Sequence, residues 1–201
     1  MSDIRFQQLK ERTYTDFLNA GLQLILDKGY DAVTITEIAQ LADYGRSTFY
    51  LHFDDKEDLV WALLKNHMTQ LDEQILALVA PLESPIREWV AWQAIFAAID
   101  VARPFFVQME GELSRRLRQW QKDRLIDTFE RQLQEGYYSL LIDVPPVIGA
   151  RFIVGALLEI LEYWLYHPEQ GNAEVMAGHM FRLVFRQEPP QVAVPQLQLP
   201  R

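Results

Sequence analysis

Apolar residues along this chain recur at helical spacing almost throughout, and strand signals are nearly absent. The one β-rich run, Ala32-Val33-Thr34-Ile35-Thr36, leads straight into a capping pattern. Tyr14, Leu18, Gly21/Leu22 and Ile25 make one face of a first helix, which Gly29 closes after Lys28. Thr34-Ile35-Thr36-Glu37 reads as a capping box, with Ile38, Ala39 and Leu41 following in a short second helix. Ala42-Asp43-Tyr44-Gly45 reads as a turn, and residues 46–53 leave room for one small third helix. Asp54-Asp55-Lys56-Glu57 offers an acidic cap to a long fourth helix, faced by Leu59, Leu63, Met68, Leu71, Ile75 and Leu78 and ending before Pro81.

Ser84-Pro85 opens a fifth helix to about residue 102, where Arg103-Pro104 is expected to break it. Residues 105–118 and 120–135 follow as one broken helix or two, closed by Gly136. The most apolar segment, 147–166, lies between Pro145-Pro146 and the group Pro168, Gly171 and Asn172, and a last helix covers 173–186. The expected fold is all-α, with about nine helices. An N-terminal three-helix domain over 8–56 contains a helix-turn-helix, and a long helix joins it to a helical bundle within 57–187. Residues 188–201 are Pro-rich and read as a disordered tail.

Composition narrows the chemistry. Of 201 residues 49% are hydrophobic and 23% charged, enough apolar material for a proper core. Cysteine is absent, which removes disulfides, thiolate metal sites and a cysteine nucleophile together. The first residues carry no apolar signal core, and no apolar run reaches the length of about 18 that a membrane span needs, so a cytoplasmic location is expected with no membrane partner. Net charge is −9, and residues 1–56 alone hold six Lys/Arg against nine Asp/Glu. A nucleic-acid partner therefore has to be argued from a local motif, because no basic field supports it.

That motif is residues 34–56, TITEIAQLADYGRSTFYLHFDDK. A capped helix, a four-residue turn and a second short helix form a helix-turn-helix, in which the second helix enters the major groove and the first lies across the backbone. Ala39, Leu41, Ala42, Phe49 and Phe53 are placed to pack inward, leaving Arg46, Ser47, Thr48, Tyr50, Leu51 and His52 for groove and backbone. Spacing alone leaves a plain helix pair open. Residues 19–59 add more: Lys28-Gly29-Tyr30, Thr34 with Ile38-Ala39, Thr48-Phe49-Tyr50 with His52-Phe53, and Lys56. Together these resemble the N-terminal domain of the tetracycline-repressor (TetR) family of transcriptional regulators.

The resemblance implies that Arg46, Ser47 and Leu51 approach base edges and that Thr36 makes a groove or backbone contact. Thr34, Thr48, Tyr50, His52 and Lys56 match positions that hold phosphates, contacts that fix register without reading sequence. His52 and Lys56 would also suit ordinary surface positions. The family usually has Gly where Asp43 stands and Ser where Gly45 stands. Asp tolerates a left-handed turn residue, and Gly is an adequate N-cap. The family further implies a ligand-responsive repressor that binds a pseudo-palindromic double-stranded operator as a homodimer, with a small-molecule effector.

The segment 147–165 is apolar nearly all round except for one stripe, Arg151, Gly155, Glu159 and Glu162, so it should face its own core and something more. With the family as guide, Phe152, Ile153, Ala156, Ile160, Met176, Met180, Phe181 and Val184 are the expected dimer contacts. The middle helices are rich in aromatics, and a pocket of rings with carboxylates would suit an apolar or cationic effector. Its candidate lining is Trp89, Trp92, Phe96, Asp100, Phe106, Glu110, Phe129 and Glu159. The four histidines are scattered and no metal-ligand spacing, nucleophile elbow or phosphate-cradling loop occurs, so neither enzyme chemistry nor a metal or cofactor is expected. The competing reading is a helical adaptor with a degenerate DNA-binding domain.

Overall fold

A computed structural model describes residues 2–109, 111–136 and 144–192. Its helices are α1 (Ser2–Lys28), α2 (Ile35–Leu41), α3 (Arg46–Phe49), α4 (Lys56–Val79), α5 (Ile86–Phe106), α6 (Gly111–Gln134), α7 (Pro146–Tyr166) and α8 (Ala173–Phe185), with a 3-10 turn at Pro168–Gln170. No strand occurs among the described residues, and none of their helices is long and apolar enough to cross a membrane. The chain divides into two compact units, Met1–Thr69 with Gln108–Leu113, and Gln70–Val107 with Ser114–Arg201.

The first unit is built around Phe17, which is fully buried. Its ring lies 5.4 Å from that of Phe49, edge-on, and 5.3 Å from that of Tyr44, while Tyr14 stacks on Phe53 at 5.1 Å. Truncating such a ring to alanine typically costs about 3–5 kcal/mol, so Phe17 alone decides much of this small unit's stability. Gly21 matters for a different reason: a Cβ there would stand 2.5 Å from Leu59 Cδ2, so any larger residue would have to displace the Leu59 side chain from its place between α1 and α4. Gly29 ends α1 at φ +82, a left-handed C′ position, with its N–H on Ile25 O at 2.9 Å. Gln108 Nε2 donates to Leu26 O at 2.9 Å, and Met109 and Leu113 are buried, which brings residues 108–113 into the same unit.

In the second unit α5 is central. Trp89, Val90, Ala91 and Trp92 are buried in succession, so this turn is covered on every side. Trp89 meets Phe181 edge-on at 5.7 Å, Trp92 stacks on Phe129 at 5.9 Å, and Phe96 tilts against Trp164 at 5.7 Å. α7 buries one side only, through Ile153, Val154, Leu157, Leu161 and Trp164. Its other side exposes Ile148, Phe152, Tyr163 and Tyr166.

Three local expectations change. Pro104 does not break α5, which runs through it to Phe106. Proline sits there in the last turn and removes a single hydrogen bond; Val107 N still reaches Arg103 O at 3.0 Å, and buried Phe105 holds the turn in place. Residues 111–134 are one unbroken helix. Leu41 is 45% exposed instead of packing inward, because α2 ends at that residue and the chain turns away before a further turn can cover it.

Candidate nucleic-acid interface

The site is assembled from local rules. Thr34 caps α2 reciprocally: Glu37 N donates to Thr34 Oγ1 at 3.3 Å, and Thr34 N donates to Glu37 Oε2 at 2.9 Å. The Thr34 hydroxyl also donates to that carboxylate, at 2.7 Å, and Lys28 Nζ pairs with its other oxygen. These partners, Lys28 first, hold the Glu37 carboxyl at about 2, well below the ordinary carboxylate range. Thr34 and Thr36 are both exposed at the start of α2.

The turn that follows is tight. Asp43 N–H reaches Gln40 O at 3.1 Å and Tyr44 N–H reaches Ala39 O at 2.9 Å. Asp43 takes φ +61, the left-handed conformation that a short polar side chain tolerates better than most. Tyr44 then donates its hydroxyl to Asp16 Oδ2 at 3.0 Å, tying the turn to α1. Gly45 caps α3 with extended backbone, φ −80 and ψ 154, and offers no side-chain bond.

α3 itself is four residues long, but the winding continues past it. Leu51 N donates to Thr48 O at 3.2 Å, His52 N to Phe49 O at 2.9 Å and Phe53 N to Phe49 O at 3.0 Å. The result is one wound segment over 46–53, with Phe49 and Phe53 buried on its inner side. Arg46, Ser47, Tyr50 and Leu51 are exposed on the outer side, with Thr48 and His52 half-buried between. Among the described residues Arg46 makes no ion pair, so its guanidinium is free to meet a ligand.

The flanking cations differ in availability. Lys56 Nζ donates to Tyr30 O at 2.6 Å and Val33 O at 2.8 Å and lies 4.1 Å from the centre of the Tyr30 ring. Two of its three protons thus bind the α1–α2 connection, and burial lowers its pKa. Lys56 is chiefly a clamp on the loop that presents Thr34. His52 sits 6.2 Å from the Tyr14 ring, and its pKa is lowered by burial and by the nearby charge of Lys10. Lys10 was not among the residues singled out from the sequence; α1 carries it to His52, a proximity that only the packing creates.

The residues proposed for dimer and pocket separate into two groups. Ile153, Met176, Met180, Phe181 and Val184 are buried in the protomer's own core. Phe152 is 62% exposed, and Ala156 and Ile160 are half-buried. The large apolar side chains that α8 does expose are Val175 and Leu183. Helical periodicity names an apolar stripe but not which flank of it meets the core.

Trp89, Trp92, Phe96 and Phe129 belong to one buried core cluster, with Trp92 stacked on Phe129. Asp100 is exposed and paired with Arg103, with Oδ1 2.9 Å from Nη2, and Phe106 is edge-on to Phe105. Glu110 and the tail beyond residue 192 lie outside the described residues. Glu159 lines an open polar groove of about 270 Å³ with Arg115, Arg118, Gln119, Lys122, Gly155, Leu158 and Glu162.

A short wound segment held on an aromatic core, with a polar outer edge and a capped helix before it, is a helix-turn-helix arrangement. Residues 17–63 match the family described as "Bacterial regulatory proteins, tetR family". The match is confined to this N-terminal segment. It is 34% identical over 76 residues to the uncharacterized HTH-type transcriptional regulator YwcC of Bacillus subtilis (strain 168), covering 38% of this chain and 33% of that protein. It is 31% identical over 84 residues to the HTH-type transcriptional repressor BepR of Brucella suis biovar 1 (strain 1330), covering 42% of this chain and 40% of BepR. These matches span well under half the length of the relatives. The fold of the whole chain is similar to that in a SmeT–triclosan complex, with a TM-score of 0.68, 15% identity, and 92% and 99% of the two chains covered.

Proposed function

We propose that this protein is a transcriptional regulator, acting as a repressor, that binds a pseudo-palindromic operator as a homodimer and releases it in response to a small molecule. The observation that carries the reading is the outer edge of the wound segment 46–53, where Arg46, Ser47, Tyr50 and Leu51 stand exposed opposite buried Phe49 and Phe53. An Arg there is equipped to donate two parallel bonds to guanine O6 and N7. Kinship with a repressor supports the direction of control, and the triclosan complex of a similar fold supports a small-molecule effector.

The dimer rests on α7 and α8. Ile148, Phe152 and Tyr163 on the one, and Val175 and Leu183 on the other, form more exposed apolar surface than a lone protomer has reason to keep. A twofold pair of reading edges then calls for a twofold-related site. Acting on DNA, the protein works in the cytoplasm, and its role is binding, not catalysis.

Selection of bound duplexes from a random pool tests this reading. A twofold-related consensus is the expected result, and loss of binding in Arg46→Ala and Tyr50→Ala should accompany it. A pool that never enriches would point to a helical adaptor instead, and variants that bind the selected duplex as the wild type does would take Arg46 and Tyr50 out of the reading edge.

A further inference from the structure

Leu51 is the most exposed of the large apolar side chains in the described structure, at 75%. It stands two residues after buried Phe49 and two before buried Phe53. At about 100° per residue, two residues turn a helix by roughly 200°, so Leu51 points almost directly away from the core of its unit. Its neighbours one turn back are Ser47 and Thr48, both hydroxyl side chains. A leucine that adds nothing to its own fold, at the crest of the edge meant for the major groove, has one apolar feature to meet there. That feature is the C5-methyl group of thymine.

We infer that Leu51 is a specificity-determining residue that packs against a thymine methyl in each operator half-site, so that the protein reads a T·A pair by apolar contact. The inference rests on the DNA-binding reading above. It also fits the charge balance: with six cations against nine acids over residues 1–56, phosphate attraction is weak and base contacts must carry more of the discrimination. Burying one methyl against an aliphatic side chain corresponds to about fourfold in affinity.

The test uses the full-length protein and the duplex it selects, with each thymine replaced in turn by uracil, which removes the methyl and leaves every hydrogen-bonding group in place. One thymine per half-site should prove sensitive, with affinity falling about fourfold for one half-site and by about the square of that for both. Leu51→Ala should bind the parent duplex as weakly as the wild type binds the uracil duplex, and should ignore the replacement. Leu51→Met, which keeps the apolar reach, should restore sensitivity. An enriched operator that no uracil weakens, or a Leu51→Ala protein that still senses the methyl, overturns the contact and leaves the DNA-binding reading standing. A pool with no enriched duplex overturns both. Circular dichroism of the variants separates either outcome from misfolding, which is not expected at so exposed a position.

Discussion

Arg103, near the end of α5, closes the C-terminus of α7 by binding the backbone of Trp164 from a distance of 61 positions in sequence. Its Nη1 donates to Trp164 O at 2.6 Å and Leu165 O at 2.9 Å, while the guanidinium lies 4.4 Å from the centre of the Trp164 ring. Nε and Nη2 both donate to Asp100 Oδ1, at 3.2 and 2.9 Å. Carbonyls in the last turn of a helix have no partner within it, and a cation there also meets the negative end of the helix dipole. Arg103→Ala should therefore lower stability by about 1.5–3 kcal/mol in denaturant unfolding, the usual range for charged hydrogen bonds. Arg103→Lys should recover only part of it, having no planar fork to share between two carbonyls and a carboxylate.

Glu37 makes the acid limb of stability predictable. Its carboxyl is depressed from 4.5 to about 2 in the folded protein, by Lys28 and by both Thr34 bonds. A depressed carboxyl contributes stability that is present above its unfolded value and lost as pH falls through its folded value. Between about pH 4.5 and 2 the wild type should therefore lose stability more steeply than Glu37→Gln, whose capping amide does not titrate. Urea unfolding at several pH values across that window checks the slope; parallel curves for the two proteins would contradict it.

His52 gives a second handle on pH. Burial and the charge of Lys10 hold its pKa below the ordinary 6.5, so the free domain carries a neutral ring near neutrality. A phosphate beside the ring would favour the charged form. Operator affinity should then rise as pH falls through the range where His52 titrates, and His52→Gln should flatten that dependence. Lys10→Gln should move the free protein's His52 titration upward, as seen directly in the imidazole proton shifts by NMR.

Phe152 tests self-association. It stands 62% exposed on the face of α7 that the protomer core does not use. Phe152→Asp should weaken the dimer at least about tenfold in sedimentation equilibrium, since truncated or charged aromatic anchors commonly cost that much. The circular dichroism spectrum should not change, because the ring contributes little to its own protomer. Met180→Ala, by contrast, empties a fully buried position and should lower unfolding stability by about 2–5 kcal/mol.

The wound segment 46–53 shows how far local chemistry reaches. The capping box at Thr34, the stop at Gly29, the left-handed tolerance of Asp43 and the inward Phe49 and Phe53 are all legible in neighbouring residues, because caps and turns are satisfied within a few positions. Asn172 opening α8 and the pair Pro145-Pro146 before α7 are legible for the same reason. Partnerships across the chain are not. That Lys56 spends its protons on Tyr30 and Val33, or that Lys10 stands by His52, follows from how helices meet.

The order of residues by itself determined most helix positions, several of their caps and the exposed outer edge of the segment 46–53, since each depends on backbone groups and side chains within one or two turns. Tertiary packing alone decided which flank of an apolar helix is core and which is surface: Ile153 is buried while its neighbour Phe152 is exposed. The reason is that hydrophobicity has no direction. An apolar side chain gains by leaving water against any partner, and only the arrangement of the surrounding helices says which one is there.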